Sequence, residues 1–378
     1  MTDSLEFIMR TAQLRTLVDW ALPAVPASSQ LLVNRCFRVQ VSPGHLQLAA
    51  AGDRLNVLAD ALAVITSSTG TAYLPAKMLK AILAEASGDD IAVTVKGSEA
   101  RATSGDASWT LLVPGPTGHA GLPDLSAVEF RPFSRVKMQA ALSAVRHAVG
   151  TDSGRPQYTQ LSIAEAGGVM YACATDSAQF ARVPVPGFPV PLPVPGAALG
   201  ELTRLLSKSG DEDVLVADTA AHVVFRAGPV TLAAAKTPYA LPDVGAFLAA
   251  REVNEQELVV DRAKLVTALR QVQVSASATT SAVALILADG PRPGLRVVTR
   301  DGQNSAEAPV PARWDGGSEV LVVNGQFLMA MIAACPADEC TFKVGRQRGA
   351  QLAPLVLADD SSGMLASIQQ LAHNLLKY

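Results

Sequence analysis

The chain has 378 residues, of which 49% are hydrophobic and 17% are charged. This length predicts two or three domains, and this composition excludes an intrinsically disordered protein. The formal net charge of −3 excludes a strongly basic phosphate-binding surface over the whole chain, but it does not decide whether nucleic acid is a partner.

The N-terminus, MTDSLEFIMR, lacks the basic segment and apolar stretch of a secretory signal, and no apolar run is long enough to span a membrane. The four cysteines (Cys36, Cys173, Cys335 and Cys340) are scattered, which is typical of a reduced protein. We therefore expect a cytoplasmic protein without membrane association, metal or cofactor. Cys335 and Cys340 leave a zinc site open as a minor alternative, although no second pair accompanies them.

Two kinds of helix recur along the chain. The first is predicted at residues 11–22, 135–149 and 261–273, where apolar residues follow the i, i+3, i+4, i+7 spacing of an amphipathic helix. A short strand-like run precedes each of these helices, and Leu14, Met138 and Leu265, which begin the stripes, lie 124 and 127 positions apart. The stripes predicted to be buried are Leu14, Leu17, Val18 and Ala21; Met138, Leu142, Val145 and Val149; and Leu265, Ala268, Leu269 and Val272.

The second kind of helix is predicted to start near Leu74, Val194 and Val323. In the first two copies a proline is expected at the first helical position, where its missing N–H costs nothing. In the third copy Asn324 is expected to cap the helix. Short β-rich runs bounded by Gly, Asp and Asn lie between and after the helices, as in antiparallel sheets.

The tetrapeptides LPDL (122–125) and LPDV (241–244) end the first and second units of this pattern. The sequence therefore predicts an α+β protein of three repeated domains, 1–127, 128–252 and 253–378, each with two helices packed on antiparallel sheets. The proline-rich stretch 183–196 is predicted to be an extended connection to the next helix, with a polyproline II ligand as the alternative.

The chain shows no established catalytic motif. It contains no phosphate-binding loop, dinucleotide fingerprint, nucleophile elbow or zinc-protease helix, and its five histidines are isolated. The acidic clusters 89–90 and 211–213 are predicted to be solvated hairpin tips. We therefore expect no enzymatic activity, and only a cleft with strongly perturbed carboxylates would favour an enzyme.

The predicted helices are basic, whereas the rest of the chain is acidic. They contain eleven basic and four acidic residues, which leaves the remainder strongly negative. Ordinary surface solubility could produce this pattern, as could helices that face a polyanion. The basic residues are Arg15, Lys77, Lys80, Arg135, Lys137, Arg146, Arg204, Lys208, Arg262, Lys264 and Arg270.

Four segments together resemble one known family. YACATDSAQFARVPVPG (171–187) is similar to the Ala-Thr-Asp-Gly-His-Arg-Leu-Ala segment of the bacterial DNA polymerase III β subunit, the processivity sliding clamp. GRP (154–156), LPDV (241–244, where the family has Phe-Pro-Asp-Tyr) and LVVNGQFLMAMI (321–332) occur in the matching order. The resemblance extends over essentially the whole chain.

This resemblance implies a head-to-tail homodimeric ring around double-stranded DNA that tethers the replicative polymerase and contacts a clamp loader through short peptides. In the implied dimer contact, an edge strand around Trp109 and Leu111 meets the region near Val274. The residues expected to face DNA are Arg15, Lys77, Lys80, Lys137, Arg146, Arg155, Arg204, Lys208 and Arg270. The residues expected to form the peptide pocket are Tyr158, Thr175, Asp176, Ser177, Ala178, Gln179, Phe180, Pro242, Ala246, Phe247 and Leu365.

The sequence departs from the family at the pocket. Ser177, Ala178 and Gln179 replace Gly-His-Arg, and the usual C-terminal ending gives way to MLASIQQLAHNLLKY. Ser28 and Asp152 stand where the family tends to carry Arg and Gln. We expect a divergent clamp, phage-encoded or a second copy, with a pocket suited to its own partners. A non-replicative scaffold on the same plan stays open, as does an ordinary Asx turn at residues 175–176.

Overall fold

The computed structural model describes residues 4–240, 256–288, 294–302, 304–314, 316–345, 354–372 and 375. Short strands and two helices alternate in each third of the chain, and every strand pair in the described residues is antiparallel. The predicted α+β class is confirmed. In this part of the chain, no helix is long and apolar enough to cross a membrane.

The elements repeat in the order one strand, a helix, four strands, a second helix and three strands. The first third contains β1 (Leu5–Arg10), α1 (Thr11–Ala21), β2 (Cys36–Ser42), β3 (Gly44–Ala51), β4 (Leu55–Ser68), β5 (Gly70–Pro75), α2 (Ala76–Glu85), β6 (Asp90–Lys96), β7 (Glu99–Ser104) and β8 (Ala107–Leu112).

The second third follows the same order. It contains β9 (Arg131–Ser134), α3 (Arg135–Val145), β10 (Gln160–Ala166), β11 (Val169–Thr175), β12 (Gln179–Pro184), β13 (Leu192–Pro195), α4 (Gly196–Lys208), β14 (Asp213–Asp218), β15 (His222–Ala227) and β16 (Val230–Ala235).

The last third adds one three-residue strand to this order. It contains β17 (Gln256–Asp261), α5 (Arg262–Gln273), β18 (Ala282–Ala288), β19 (Gly294–Asp301), β20 (Asn304–Val310), β21 (Ala312–Trp314), β22 (Glu319–Asn324), α6 (Gly325–Ala334), β23 (Glu339–Val344), β24 (Leu355–Asp359) and β25 (Met364–Ile368).

One backbone hydrogen bond recurs in all three copies. The first helical residue after the leading strand donates its N–H to the carbonyl of an acidic residue in the turn after the second helix. The pairs are Thr11 with Asp89, Arg135 with Glu212 and Arg262 with Asp338, at 2.9, 2.9 and 2.8 Å. The three donors have the same spacing as the predicted stripes, so the repeat seen in the sequence is also a repeat in backbone hydrogen bonding.

The chain forms two compact units. One unit, Met1–Val136 with Ala197–Lys236, contains a twelve-stranded sheet whose main path is β8-β7-β6-β1-β4-β16-β15-β14-β9. The other unit, Lys137–Gly196 with Thr237–Tyr378, contains a nine-stranded sheet, β13-β10-β11-β12-β25-β24-β23-β17-β21, and a four-stranded sheet, β20-β19-β18-β22.

These sheets join segments that the sequence assigned to different domains. Strand β4 pairs with β16 in the first unit, and β12 pairs with β25 in the second. The predicted boundary near residue 127 lies in the linker between β8 and β9, whereas the one near residue 252 lies outside the described residues. The three-domain division therefore stays a prediction.

The helices bury nearly all the apolar positions that periodicity predicts. All four stripe residues of α1 and all four of α5 are buried, as are Met138, Leu142 and Val145 of α3. Val149 is an exception, because α3 ends at Val145 and a 3-10 turn follows. Burial of an aliphatic side chain contributes about 1.5–3 kcal/mol, so these stripes hold the helices on the sheets.

Some local predictions need correction. Pro75 is the N-cap of α2 and Pro195 ends β13, so neither is the first helical residue. Both lie in an extended segment, which a proline φ near −65° also suits. Asn324 does cap α6, accepting from the N–H groups of Gln326 and Phe327 at 2.9 and 3.1 Å.

The structure resolves two further alternatives. The proline-rich stretch is an extended connection that ends in β13, which pairs with β10, and Phe188 within it is buried. The acidic clusters at 89–90 and 211–213 lie in turns that lead from a helix to a strand, and not at hairpin tips. Each repeat uses this turn to accept the recurring hydrogen bond described above.

Candidate functional site

The turn between β11 and β12 holds most of the predicted pocket residues. One Asp176 oxygen accepts from the N–H groups of Ala178 and Gln179 at 2.8 and 2.6 Å, and the other accepts from the Gln179 amide at 2.8 Å. Thr175 donates its hydroxyl to the Gln179 carbonyl at 2.6 Å. Ser177 adopts a positive φ of 82°. The alternative interpretation, an Asx turn at residues 175–176, is therefore correct for the backbone. These hydrogen bonds hold the turn in one conformation.

Strand β25 lies beside this turn. It pairs with β12 so that Leu365 is opposite Arg182, and the Gln369 N–H donates to the Ala178 carbonyl at 2.9 Å. Leu365 is half-buried, whereas Phe180 is fully buried opposite Ser367. Phe180 therefore supports the turn from the core, and Leu365 keeps a surface for contact. The predicted Pro242, Ala246 and Phe247 lie outside the described residues.

A cavity of about 400 Å³ opens next to this turn. Its walls include the predicted Tyr158, Asp176 and Gln179, together with residues of α6 that were not predicted to line the pocket. Those α6 residues are Gln326, Phe327 and Ala330. Segment 321–332 was one of the four that carry the family resemblance, and Asn324 within it fixes where α6 begins and so which side chains its first turns present.

His147 forms another part of the cavity wall. Burial lowers its pKa to about 4, and the carbonyl of Ala144 and the charge of Asp176 oppose this shift only in part. Neither ring nitrogen makes a well-formed hydrogen bond with the described residues. The imidazole is therefore neutral at pH 7 and presents an uncharged aromatic surface.

Arg155 was predicted to face DNA, and it also lines this cavity. Its guanidinium donates to Asp152 at 2.9 Å and to the Ser177 hydroxyl at 2.8 Å, and lies 5.5 Å from the Tyr158 ring centre. The Gly154 N–H, followed by the bond from Arg155, lowers the pKa of Asp152. The arginine thus ties the loop 152–158 to the β11–β12 turn.

The other residues predicted to face DNA divide into two groups. Arg204 is half-buried, and its guanidinium donates to Glu201 and to the carbonyls of Asp19 and Trp20. Arg15 is exposed, but its guanidinium donates to the Leu83 carbonyl. The exposed remainder consists of Lys77, Lys80, Lys137, Arg146, Lys208 and Arg270.

No protein-family model and no curated protein matches the chain by sequence. Solved structures do match it. The β sliding clamp of C. crescentus is 17% identical, with 98% of this chain and 100% of that chain covered and a TM-score of 0.89. The clamp of Bartonella birtlesii bound to griselimycin is 20% identical (98% and 100% covered, TM-score 0.88), and that of Bacillus subtilis is 15% identical (97% and 99%, TM-score 0.88).

The chain has the fold of a bacterial β sliding clamp. Coverage is nearly complete on both sides, so the whole clamp fold is present and not one repeat of it. The resemblance stated from the four sequence segments is confirmed at the level of fold.

The predicted dimer contact of the clamp fold involves strand β8. Among the described strands β8 pairs with β7 alone, so it is an edge strand. Trp109 is half-buried and Leu111 is buried, whereas the neighbouring Leu112 is 69% exposed. Val274, just after α5, is 87% exposed. Leu111 thus belongs to the core, and Leu112 is the side chain available on this edge.

The two close cysteines form a hydrogen-bonded thiol pair. Cys335 and Cys340 are free and buried, and their mutual hydrogen bond lowers the pKa of Cys335 to about 7 while raising that of Cys340. Within the described residues, no group of three or more His, Cys, Asp or Glu could hold a metal ion.

Proposed function

We propose that the protein is a DNA sliding clamp: two chains close head to tail into a ring around duplex DNA and tether a DNA polymerase, without catalysis by the clamp itself. The observation that carries this proposal is the fold match over 97–98% of the chain to DNA polymerase III β clamps. A cytoplasmic location, where replication takes place, follows from the same proposal.

The charge distribution supports DNA as the ligand. The six exposed basic residues named above lie on, or directly after, four of the helices, while the chain as a whole carries −3. A ring holds DNA by enclosing it, so it needs a weakly attractive inner surface and not a dense set of phosphate contacts. Overall acidity would oppose binding elsewhere on the molecule.

The cavity beside the β11–β12 turn supports a peptide partner. Its volume of about 400 Å³ lies in the range of ligand pockets, and it combines the Tyr158 and Phe327 rings with hydrogen-bonding groups. In this proposal the polymerase and the clamp loader each insert a short peptide there. Ser177, Ala178 and Gln179 in place of Gly-His-Arg would give this clamp its own peptide preference.

Ring closure can be tested without a loader. Light scattering at low micromolar concentration should give about twice the 39.3 kDa of one chain. The protein is then incubated with linear biotinylated duplex, and streptavidin is added to block the ends. A ring that has threaded onto the DNA stays on the blocked duplex through a high-salt wash and leaves the unblocked one.

The outcomes separate a clamp from a scaffold. Salt-resistant retention that depends on blocked ends supports topological binding, since salt removes purely electrostatic contacts. A stable monomer, or equal loss from both DNAs, would contradict the clamp proposal and favour a non-replicative scaffold with the same fold.

A further inference from the structure

The cavity beside the β11–β12 turn carries an unbalanced charge. Of the described residues that line it, the charged ones are Asp152, Arg155 and Asp176. Asp152 and Arg155 form an ion pair at 2.9 Å, so their charges offset each other. Within the described part of the chain, Asp176 accepts only from the Ala178 and Gln179 N–H groups and the Gln179 amide, which are neutral. The Asp176 carboxylate therefore lacks a counter-charge among these residues.

His147 does not supply the missing positive charge. It lines the same cavity, and burial lowers the pKa of its imidazole to about 4, although the Ala144 carbonyl and the Asp176 charge favour the protonated form. The ring is therefore neutral at pH 7, even near a carboxylate. Arg146, its neighbour in the chain, is exposed and is not among the described residues of the cavity wall.

Gln179 adds an acceptor to the same wall. Its side chain is almost completely buried, with 4% exposed, and its amide N–H donates to Asp176 at 2.8 Å. The amide oxygen makes no hydrogen bond with the described residues. A carboxylate offers about four lone-pair sites, of which Asp176 uses three. These two side chains therefore leave acceptors without donors, which suits a ligand group that only donates.

Two aromatic rings of the cavity wall suit a cation with an aliphatic stem. The guanidinium of Arg155 lies 5.5 Å from the ring centre of Tyr158, so this wall accommodates a cation next to a ring. Phe327 of α6 is half-buried and lines the same cavity. A lysine or arginine side chain can pack its stem on such a ring while its charged end contacts a carboxylate.

We propose that the peptide bound in this cavity presents a lysine or arginine side chain, whose cationic group pairs with Asp176 while its stem packs on Phe327. This inference rests on the proposed peptide-binding function and names the chemistry of the peptide. A carboxylate in the peptide would be repelled by the Asp176 charge, and a neutral side chain would leave that charge without a partner.

The test begins with an unbiased probe. A random heptapeptide library is selected on the unmodified full chain, and clones that also bind Tyr158→Ala are discarded, because this variant lacks one wall of the cavity. If that variant does not fold, Ala330→Leu, which narrows the cavity from α6, takes its place. We expect the remaining clones to be enriched in lysine or arginine at one position.

The strongest of these clones is then made as a fluorescein-labelled peptide, with a copy in which glutamine replaces the basic residue. By anisotropy we expect the basic peptide to bind the unmodified protein at least about tenfold more tightly than its copy. Asp176→Asn, which removes the charge and keeps an acceptor oxygen for the turn, should abolish that difference. Asp124→Asn is the matched control, because Asp124 accepts from Ser126 in a similar turn outside this cavity.

Three results would overturn the preference for a basic side chain. These are cavity-dependent clones without lysine or arginine, equal binding of the two peptides, and a difference that Asp176→Asn leaves unchanged or that Asp124→Asn also abolishes. The last outcome would indicate non-specific attraction to an acidic protein. If Asp176→Asn does not fold, the comparison of the two peptides on the unmodified protein still decides.

Failure of this inference and failure of the proposed function give different results. A selection that yields no cavity-dependent clone would contradict peptide binding itself, and the basic preference with it. Cavity-dependent clones that lack a basic residue would contradict the preference alone. Ring closure is measured separately by light scattering and by retention on blocked DNA, so neither peptide result decides it.

Discussion

His147 is an ionisable side chain in a place that disfavours its charge. Its folded pKa of about 4 is well below the ordinary value of 6.5. The folded state therefore stays neutral where the unfolded chain takes up a proton. Stability contributed by this group is complete above about pH 6.5 and is lost as the pH falls towards 4.

Replacing His147 with Gln should remove this pH dependence. A difference of one pKa unit is worth about 1.4 kcal/mol, so we expect the unmodified protein to lose about 2 kcal/mol from this group between pH 7.5 and pH 5. Urea unfolding of both proteins at the two pH values measures the difference. Parallel losses in the two proteins would show that His147 does not titrate abnormally.

Asp176 makes a second prediction at this scale. Asp176→Ala removes the acceptor for three hydrogen bonds in the β11–β12 turn, and we expect a loss of about 2 kcal/mol and weaker binding at the adjacent cavity. Asp124→Ala is the matched control, since Asp124 accepts from Ser126 in a similar turn on an exposed linker. If thermal unfolding shifts equally in both variants, the β11–β12 turn is not specially fixed by its aspartate.

The sequence predicted pocket residues correctly where a motif determines the local backbone geometry. It failed where the outcome depended on how deeply a side chain is buried or on contacts between distant segments. Thr175, Asp176 and Gln179 were identified from a motif and do lie together. Phe180 was expected to line the pocket, but it lies in the core on β12, an inner strand of its sheet whose first three residues are all buried. Phe327 was missed, because its approach to Tyr158 depends on chain segments that no local pattern connects.

Among the elements, arginines close the ends of neighbouring helices. Arg204 on α4 donates to the last carbonyls of α1, Arg15 on α1 donates to Leu83 in α2, and Arg135 donates to Leu206 in α4. The last carbonyls of a helix lack intrahelical partners and carry partial negative charge, which a guanidinium satisfies. Part of the positive charge of the helices therefore has a structural role.

The substitution Arg204→Gln tests whether this arginine stabilises the fold by capping α1. We expect a loss of about 2 kcal/mol, because the variant loses charged hydrogen bonds to α1 and the stacking of its guanidinium 4.0 Å from the Trp20 ring centre. Lys208→Gln on the same helix is the control and should change stability by less than about 0.5 kcal/mol. The opposite ranking in chemical denaturation would contradict the capping role.

Helix periodicity was a reliable guide to elements because a buried stripe is a local property of 3.6 residues per turn. Helix ends were less predictable: α3 stops at Val145, four residues before the pattern does. The two prolines that seemed to start helices belong to the preceding extended segments. A proline φ near −65° suits both the first turn of a helix and an extended segment. The presence of proline therefore could not tell which of the two positions it occupies.

At the scale of the whole molecule, the sequence predicted the threefold repeat but not which strands pair in each sheet. The spacing of Leu14, Met138 and Leu265 gave the three copies. The pairing of β4 with β16 and of β12 with β25 joins segments about 170 residues or more apart, a distance at which no sequence pattern specifies a partner. The consequence is that the twelve-stranded and the nine-stranded sheet each stabilise parts of two predicted domains.

The exposed edge of β8 is where assembly can be tested. An edge strand with unsatisfied N–H and C=O groups and an apolar side chain is a template for pairing with another chain, and a charge placed there opposes it. Leu112→Lys should therefore raise the dimer dissociation constant at least about tenfold, measured by light scattering over a dilution series. Val169→Lys, at the start of β11 and 37% exposed, is the control.

Leu111 should respond differently from Leu112. Because Leu111 is 5% exposed, Leu111→Ala is expected to cost about 3 kcal/mol of folding stability and to affect assembly only through it. If Leu112→Lys leaves the dimer intact while Val274→Lys dissociates it, the contact near α5 involves another strand. If neither variant shifts the mass of a dimer, β8 is not the subunit contact, and ring closure must be sought at another surface.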